Sequence, residues 1–336
     1  MGISLSRRTI SSAVTVAFAT CAVAVTVSPA LAAEAGGRPG GGGGRPTVVL
    51  VHGAFADASG WNDVAARLLD DGFDVVAPPN ELRGLANDAA DVASLLKSIA
   101  GPIVLAGHSY GGAVISQAAA GNPNVKGLVY VSAFAPDVGE SPAELSTKFA
   151  GSDLAAALNP VPFTERGGSG TDLYLRGDKF RDVFAADLPE SRTRLMAAEQ
   201  RPVALEGFGE KATAAAWRDI PSWFVVSKQD RAIAPDLERF EAKRAKSHTV
   251  EVDSSHVSMI SHPDVIVRQI REAAGVAGDG GGSGRGGGGS GGAAAAAELA
   301  ATGSHGQAVA AVGAVGAAAL VSGSALTRFV RRREAR

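Results

Sequence analysis

Five residues, Gly107-His108-Ser109-Tyr110-Gly111, constrain this chain more than any other stretch. They read G-x-S-x-G, and their flanks decide what that spacing means. Before them stands Ile103-Val104-Leu105-Ala106, an apolar run bounded by Gly101-Pro102. After them come residues 112–120, rich in helix formers and closed by Gly121. A buried strand, a tight turn and a helix fit this order. In that setting the motif predicts a strained strand-to-helix turn with a nucleophilic serine at its apex. Positions two before and two after the serine crowd each other, so Gly107 and Gly111, which lack a Cβ, suit them. Backbone N–H groups at the helix start can then stabilise an oxyanion that forms beside the serine.

The 336 residues divide into a core and two ends. Residues 33–46 and 275–298 are Gly-rich, the second also Ala-rich. Such chain buries too little surface to offset its ordering entropy and reads as linker. Residues 47–274 between them have the size of one α/β domain. Apolar strand-like runs at 47–51, 73–77, 103–106 and 125–131 alternate with helical patterns at 57–69, 85–99 and 112–120. The alternation resumes with strands at 223–226 and 249–252 and helices at 235–245 and 263–274. This order predicts an α/β fold with a mostly parallel central sheet and helices on both faces. Residues 136–215 interrupt it with short helical pieces, no clear strand, and a stretch at 167–170 that reads as a mobile loop. An insertion at the carboxyl edge of a parallel sheet is placed to form a lid, here a helical one, over a site.

The two ends read as addresses. Residues 1–32 carry Arg7-Arg8, an apolar run, and Pro29-Ala30-Leu31-Ala32, the pattern of a signal peptide cut after Ala32. Ser6-Arg7-Arg8-Thr9-Ile10 also partly matches a twin-arginine motif, so general and twin-arginine export both stay open. At the other end, Leu299-Ala300-Ala301-Thr302-Gly303 precedes an uncharged run at 307–327 and the basic tail from Arg328. This order resembles a cell-wall sorting signal, in the L-A-x-T-G form used by class E sortases. Such an enzyme would cut between Thr302 and Gly303 and join Thr302 to peptidoglycan. A plain C-terminal membrane helix is the alternative, since the apolar run is just long enough to span a bilayer. Either expectation puts the domain outside the membrane.

The formal net charge is −2, which suggests no nucleic-acid partner. Removing both ends takes away six net positive charges and leaves a mildly acidic chain at about −8. Cys21, the only cysteine, lies in the N-terminal apolar run, so the remaining domain has neither a disulfide nor a thiolate ligand. A serine hydroxyl needs a histidine as base, and the histidine needs a carboxylate to orient it. His256 follows the last strand by four residues and should open at the same sheet edge as Ser109. His52, His108, His248 and His262 are less well placed. Asp230, just past the strand at 223–226, is the first choice for the acid, with Asp137 and Asp253 as rivals. Backbone N–H groups of Ala54 and Tyr110 are the expected oxyanion donors.

Several motifs now carry a resemblance. They are Val51-His52-Gly53-Ala54-Phe55 with Trp61, Gly107-His108-Ser109-Tyr110-Gly111-Gly112, the run at 129–136, Asp230-Arg231-Ala232-Ile233, and the run from His256 to Pro263. Together they resemble the α/β-hydrolase superfamily, in the small-esterase branch that includes plant methylesterases, hydroxynitrile lyases and bacterial hydrolases. The resemblance implies a triad of Ser109, Asp230 and His256, with no metal and no organic cofactor. The small, apolar lid adds the expectation of a small or medium hydrophobic ester rather than a polymer. Two alternatives stand beside it: lyase-like C–C cleavage, which uses a lid lysine near the serine and for which Lys148 and Lys179 are candidates, and a displayed binding module without turnover. The sequence gives no oligomeric state.

Overall fold

The computed structural model describes residues 45–165 and 168–276. The expected signal peptide, most of the expected first linker, the expected second linker beyond residue 276, and Thr302 with Gly303 lie outside the described residues. Among the described residues no helix is long and apolar enough to cross a membrane; the apolar run at 307–327 is not among them.

The first half of the core runs β1 (Thr47–Val51), α1 (Asn62–Asp70), β2 (Val75–Val76), α2 (Leu85–Ser98), β3 (Ile103–His108), α3 (Tyr110–Ala118) and β4 (Val125–Val131). An insertion then supplies α4 (Pro142–Ser146), α5 (Leu154–Ala157), β5 (Leu158–Glu165), β6 (Gly168–Leu175), α6 (Gly177–Phe184), α7 (Glu190–Glu199), β7 (Val203–Ala204) and α8 (Leu205–Gly209). The core closes with β8 (Ser222–Ser227), α9 (Pro235–Arg244), β9 (His248–Val252), α10 (Ser258–Ser261) and α11 (Pro263–Ala273). The six core strands form one parallel sheet in the order β2-β1-β3-β4-β8-β9.

β1, β3 and β4 are buried along nearly their whole length, which is why their sequences are continuous apolar runs rather than alternating ones. The strand order reverses after β2. Right-handed crossovers therefore send α1 to one face of the sheet and α2, α3 and α9 to the other. The contacts agree: α1 packs on α11, α2 packs on α3, and α9 packs on β8. The reversal lies between β1 and β3, where the loops that leave their carboxyl ends diverge, and such a switch point is where ligands bind in open α/β sheets. Register aligns those ends. Val51 pairs with Gly107, His108 with Val131, Val131 with Val225, and Ser227 with Val252. The residues after all five strands therefore emerge at one edge.

The insertion corrects one expectation. It holds helices, but also a three-stranded antiparallel sheet in the order β5-β6-β7. Pro160 and Pro162 disguise β5, because proline cannot donate to a ladder. β5 is an edge strand of this sheet and tolerates them. Gly168 to Gly170, read as part of a mobile loop, open β6 and pair with Glu165, Thr164 and Phe163; Gly167 lies outside the described residues. The lid is tied to the core through Ala204 N–H to Leu82 O at 2.9 Å and Arg83 to Asp172 at 2.8 Å.

Two glutamates of α9, Glu238 and Glu241, are fully buried. Glu241 Oε1 accepts the Ala135 N–H at 3.0 Å, which fixes the chain leaving β4. Burial pushes its carboxyl up to about 8. A folded-state value raised above the ordinary 4.5 means that its contribution to stability is complete below about pH 4.5 and is lost as pH rises through about 8. Glu241→Gln keeps the acceptor and removes the ionisation. Its denaturation midpoint is expected to gain on the parent between pH 6 and pH 9; urea melts at the two pH values measure the difference.

Candidate active site

Ser109 stands between the end of β3 and the first turn of α3, with φ 55° and ψ −124°. Positive φ in a non-glycine residue is strained and persists only where the surroundings force it. Here backbone segments force it by close approach. A Cβ on Gly107 would lie 2.6 Å from Gly111 O, and one on Gly111 would lie 2.6 Å from Val51 O. From the facing loop, a Cβ on Gly53 would lie 2.6 Å from the Ser109 Cβ. The turn is further held by Ser109 N–H to Val131 O at 3.3 Å and by Phe134 N–H to Ser109 O at 3.1 Å. Ser109 is 6% exposed, at the floor of the sheet edge.

His256 and Asp230 meet at that edge. Asp230 Oδ2 is 2.5 Å from His256 Nδ1. Asp230 Oδ1 accepts the N–H groups of Ala232 at 2.7 Å and Ile233 at 2.8 Å, so both carboxylate oxygens are engaged. With Nδ1 facing a carboxylate, the hydrogen-bond network assigns the proton to that nitrogen and leaves Nε2 as the basic one. Among the described hydrogen bonds there is none between the Ser109 hydroxyl and His256. Catalytic contacts of this kind tighten when substrate binds.

His108, beside Ser109 in sequence, points beneath His256. Its Nε2 is 3.0 Å from His256 O, and the two rings are 4.7 Å apart. Burial first, and then the neighbouring His256, hold His108 well below the ordinary imidazole range. It is therefore a neutral donor that fixes the His256 backbone. Phe184 of the lid packs on both imidazoles, at 5.0 Å from His256 and 6.1 Å from His108.

The loop after β1 completes the edge. His52 Nδ1–H donates to Gly53 O and its Nε2 accepts the Asn80 N–H, both at 3.0 Å. This closed pattern makes His52 a loop-shaping residue, held below its usual range chiefly by burial. Phe55, with φ 61°, donates its N–H to Arg201 O at 2.8 Å. Neither the Ala54 nor the Tyr110 N–H donates to a described group, and Tyr110 N–H belongs to the first helical turn, whose donors lack intrahelical partners. The Tyr110 side chain is turned away, with its hydroxyl donating to Asp88 Oδ2 at 2.9 Å.

The rival residues are engaged elsewhere. Asp137 pairs with Arg218, and Asp253 pairs with Lys228 on the surface. Lys148 Nζ sits 4.6 Å over the Phe240 ring, and Lys179 lies in a charged cleft with Arg176, Asp153 and Arg231. His248 stacks on Trp223 and His262 contacts Ser261. One neighbour of Asp230 has no sequence signature. Glu238 accepts the Ser227 N–H at 3.1 Å and lies within hydrogen-bonding reach of the Asp230 carboxylate. Two carboxylates cannot bond to each other without a proton between them. Burial, and then the Asp230 charge, push Glu238 well above the ordinary range, so it keeps that proton and donates.

Comparison with known proteins fits this geometry. Residues 48–269 match the model of the alpha/beta hydrolase family. An alpha/beta hydrolase of Aspergillus novofumigatus is 28% identical over 262 residues, 69% of this chain and 97% of its own. Methylesterase 2 of Arabidopsis thaliana is 24% identical over 245 residues, 65% of this chain and 92% of its own. Among solved structures, polyneuridine aldehyde esterase superposes with a TM-score of 0.60 at 18% identity, over 68% of this chain and 99% of that one. That likeness is one of fold.

The close approach at Gly53 yields a test. Gly53→Ala places a methyl group against Ser109 and the His108 carbonyl. Its labelling by a fluorophosphonate probe is expected to slow by about 10-fold or more, on the scale of small displacements at a reacting centre. Gly168→Ala, with no atom within 4 Å of the added methyl, is expected to label at the parent rate.

Proposed function

The chain belongs to the alpha/beta hydrolase family, and within it we propose a serine esterase in which Ser109, His256 and Asp230 form the triad. The observation that carries this is the Asp230–His256 contact of 2.5 Å, at the same sheet edge as a serine held at positive φ. In the proposed reaction His256 Nε2 takes the Ser109 proton as the oxygen attacks the ester carbonyl. Negative charge develops on the carbonyl oxygen, where the N–H groups of Ala54 and Tyr110 receive it. The tetrahedral intermediate collapses, the C–O bond to the alcohol breaks, and His256 delivers its proton to the leaving oxygen. Water then attacks the acyl-enzyme, gives its proton to His256, and the acid departs as Ser109 is restored. Asp230 stays ionised throughout and steadies the imidazolium. Neutral Glu238 supports it from behind without adding a second charge.

A small or medium hydrophobic ester suits the site. A cleft of about 210 Å³ opens between α7 and the loops that carry Ala54 and His256, with Phe55, Leu195, Met196, Val257, Met259 and Ile260 among its lining. These apolar side chains share the lining with Asp57, Ser59, Asn62, Arg192, Glu199 and Gln200, and the cleft adjoins the loops of Ala54 and His256 without being lined by Ser109 or His256. The proposal extends to the setting. Signal-peptide features in residues 1–32 and the L-A-A-T-G segment at 299–303 support export and attachment to peptidoglycan by a sortase.

Two measurements test these parts separately. Ser109→Ala is expected to lower kcat/KM for p-nitrophenyl acetate by about 10³-fold or more, the loss that follows removal of a triad nucleophile; unchanged hydrolysis would exclude the mechanism. Muramidase digestion of intact cells is expected to release the protein with a wall fragment on Thr302. Release by detergent alone would instead indicate a membrane helix.

A further inference from the structure

The loop bearing His256 is gripped from the lid as well as from below. Val252 ends β9, and Asp253, Ser254 and Ser255 lead to His256. Ser254 and Ser255 are buried. Across from them stands Asp187, three residues beyond the end of α6 and exposed at the lid rim. Its Oδ2 accepts the Ser254 hydroxyl at 3.0 Å and the Ser255 N–H at 3.1 Å. Its Oδ1 accepts the Ser255 hydroxyl in a short contact. Ser261 of α10 joins through the Ser254 hydroxyl at 2.8 Å. Burial alone would raise the Asp187 carboxyl, but the bonds from Ser255, Ser261 and Ser254 outweigh it and hold it below the ordinary range. Asp187 is thus an ionised acceptor whose donors come chiefly from the two residues before His256.

The same lid segment reaches the cleft. α7 starts three residues after Asp187 and presents Arg192, Leu195 and Met196 to it, opposite Val257, the residue after His256. At the other end of this stretch Phe184 packs on the His256 ring. A group in the cleft therefore touches both the helix after Asp187 and the chain after His256.

We infer that Asp187 is a positioning residue through which the seated lid sets the orientation of His256 toward Asp230 and Ser109. This rests on the esterase proposal for its catalytic meaning, but its geometry can be read without turnover. The His108 bond fixes the His256 carbonyl from the core side, and Asp187 fixes the preceding two residues from the lid side. With one of the two clamps lost, the imidazole keeps its carboxylate partner but loses its fixed angle to the serine. Displacements of that size cost rate rather than binding.

The experiment compares Asp187→Ala, Asp187→Asn and the double variant Ser254→Ala/Ser255→Ala with the parent in full-length protein. Proton NMR follows the His256 Nδ1–H resonance and its exchange with water. Hydrolysis of p-nitrophenyl acetate gives kcat and KM. Asp187→Ala is expected to exchange the Nδ1 proton about 10-fold faster or more, and to lose about 10- to 100-fold in kcat with KM changed by less than about 3-fold. Asn has one acceptor oxygen for Ser254 and Ser255 N–H and an amide that donates to the Ser255 hydroxyl, so Asp187→Asn is expected to recover most of both losses. The double variant removes the two hydroxyl donors and, should Asp187→Ala fail to fold, carries the test in its place, with the same faster exchange expected. An Nδ1 proton that exchanges at the parent rate in Asp187→Ala and in the double variant overturns the inference. If the parent and Ser109→Ala hydrolyse the ester equally while the Nδ1 proton still responds to Asp187→Ala, the esterase proposal fails and the positioning role stands.

Discussion

Three points of contact where a Cβ cannot fit underlie the whole site. Gly107 against Gly111, Gly111 against the carbonyl of Val51, and Gly53 against Ser109 bring three backbone segments closer than any side chain would allow. Their crowding holds Ser109 at φ 55° and aims it off the end of β3. Everything else is arranged around that fixed apex. The parallel register brings the ends of β8 and β9 to the same edge, and so supplies Asp230 and His256 without any contact between distant elements being designed for the purpose. The strain is local, and the buried strands on either side make it tolerable.

The electrostatics follow a different economy. The edge carries Asp230, Glu238 and, deeper in α9, Glu241, three carboxyl groups that are almost wholly buried. Charging all three would be costly in so dry a place. The fold gives Asp230 two backbone N–H groups and an imidazole, but gives Glu238 and Glu241 one backbone N–H apiece, and burial pushes both of these up. His108 is treated likewise: buried and neutral, it serves as a hydrogen-bond donor to backbone rather than as a second base.

Much of this was legible in the sequence, for reasons that can be named. Continuous apolar runs mark strands buried on both faces, so the core sheet and its order of strand and helix could be read directly. Ser109, Asp230 and His256 were legible because each sits a few residues beyond such a run. The lid sheet was hidden by Pro160 and Pro162, which argue against a strand unless it is known to lie at an edge. Glu238 was hidden because a glutamate on an amphipathic helix ordinarily faces water, and only the packing of α9 on β8 turns it inward. Asp187 was hidden more deeply. It is one of several acids in a polar segment, and its partners are serines 67 and 68 positions away.

The Phe55 N–H bond to Arg201 O gives the lid a second tie to the edge, on the far side of α7 from Asp187. The helix that walls the cleft is therefore bracketed: one end is pinned to the histidine loop, the other to the loop that carries Ala54. Residues 190–199 form a cassette between two fixed posts. Exchange of side chains inside the cassette can reshape the cleft while both posts keep their bonds. A graft whose joints fall outside it, at 185 or 203, replaces the posts as well and carries the alignment of two loops along with the change of wall. Of the residues that line the cleft, Arg192, Leu195, Met196 and Glu199 are thus the ones that can change without disturbing either post.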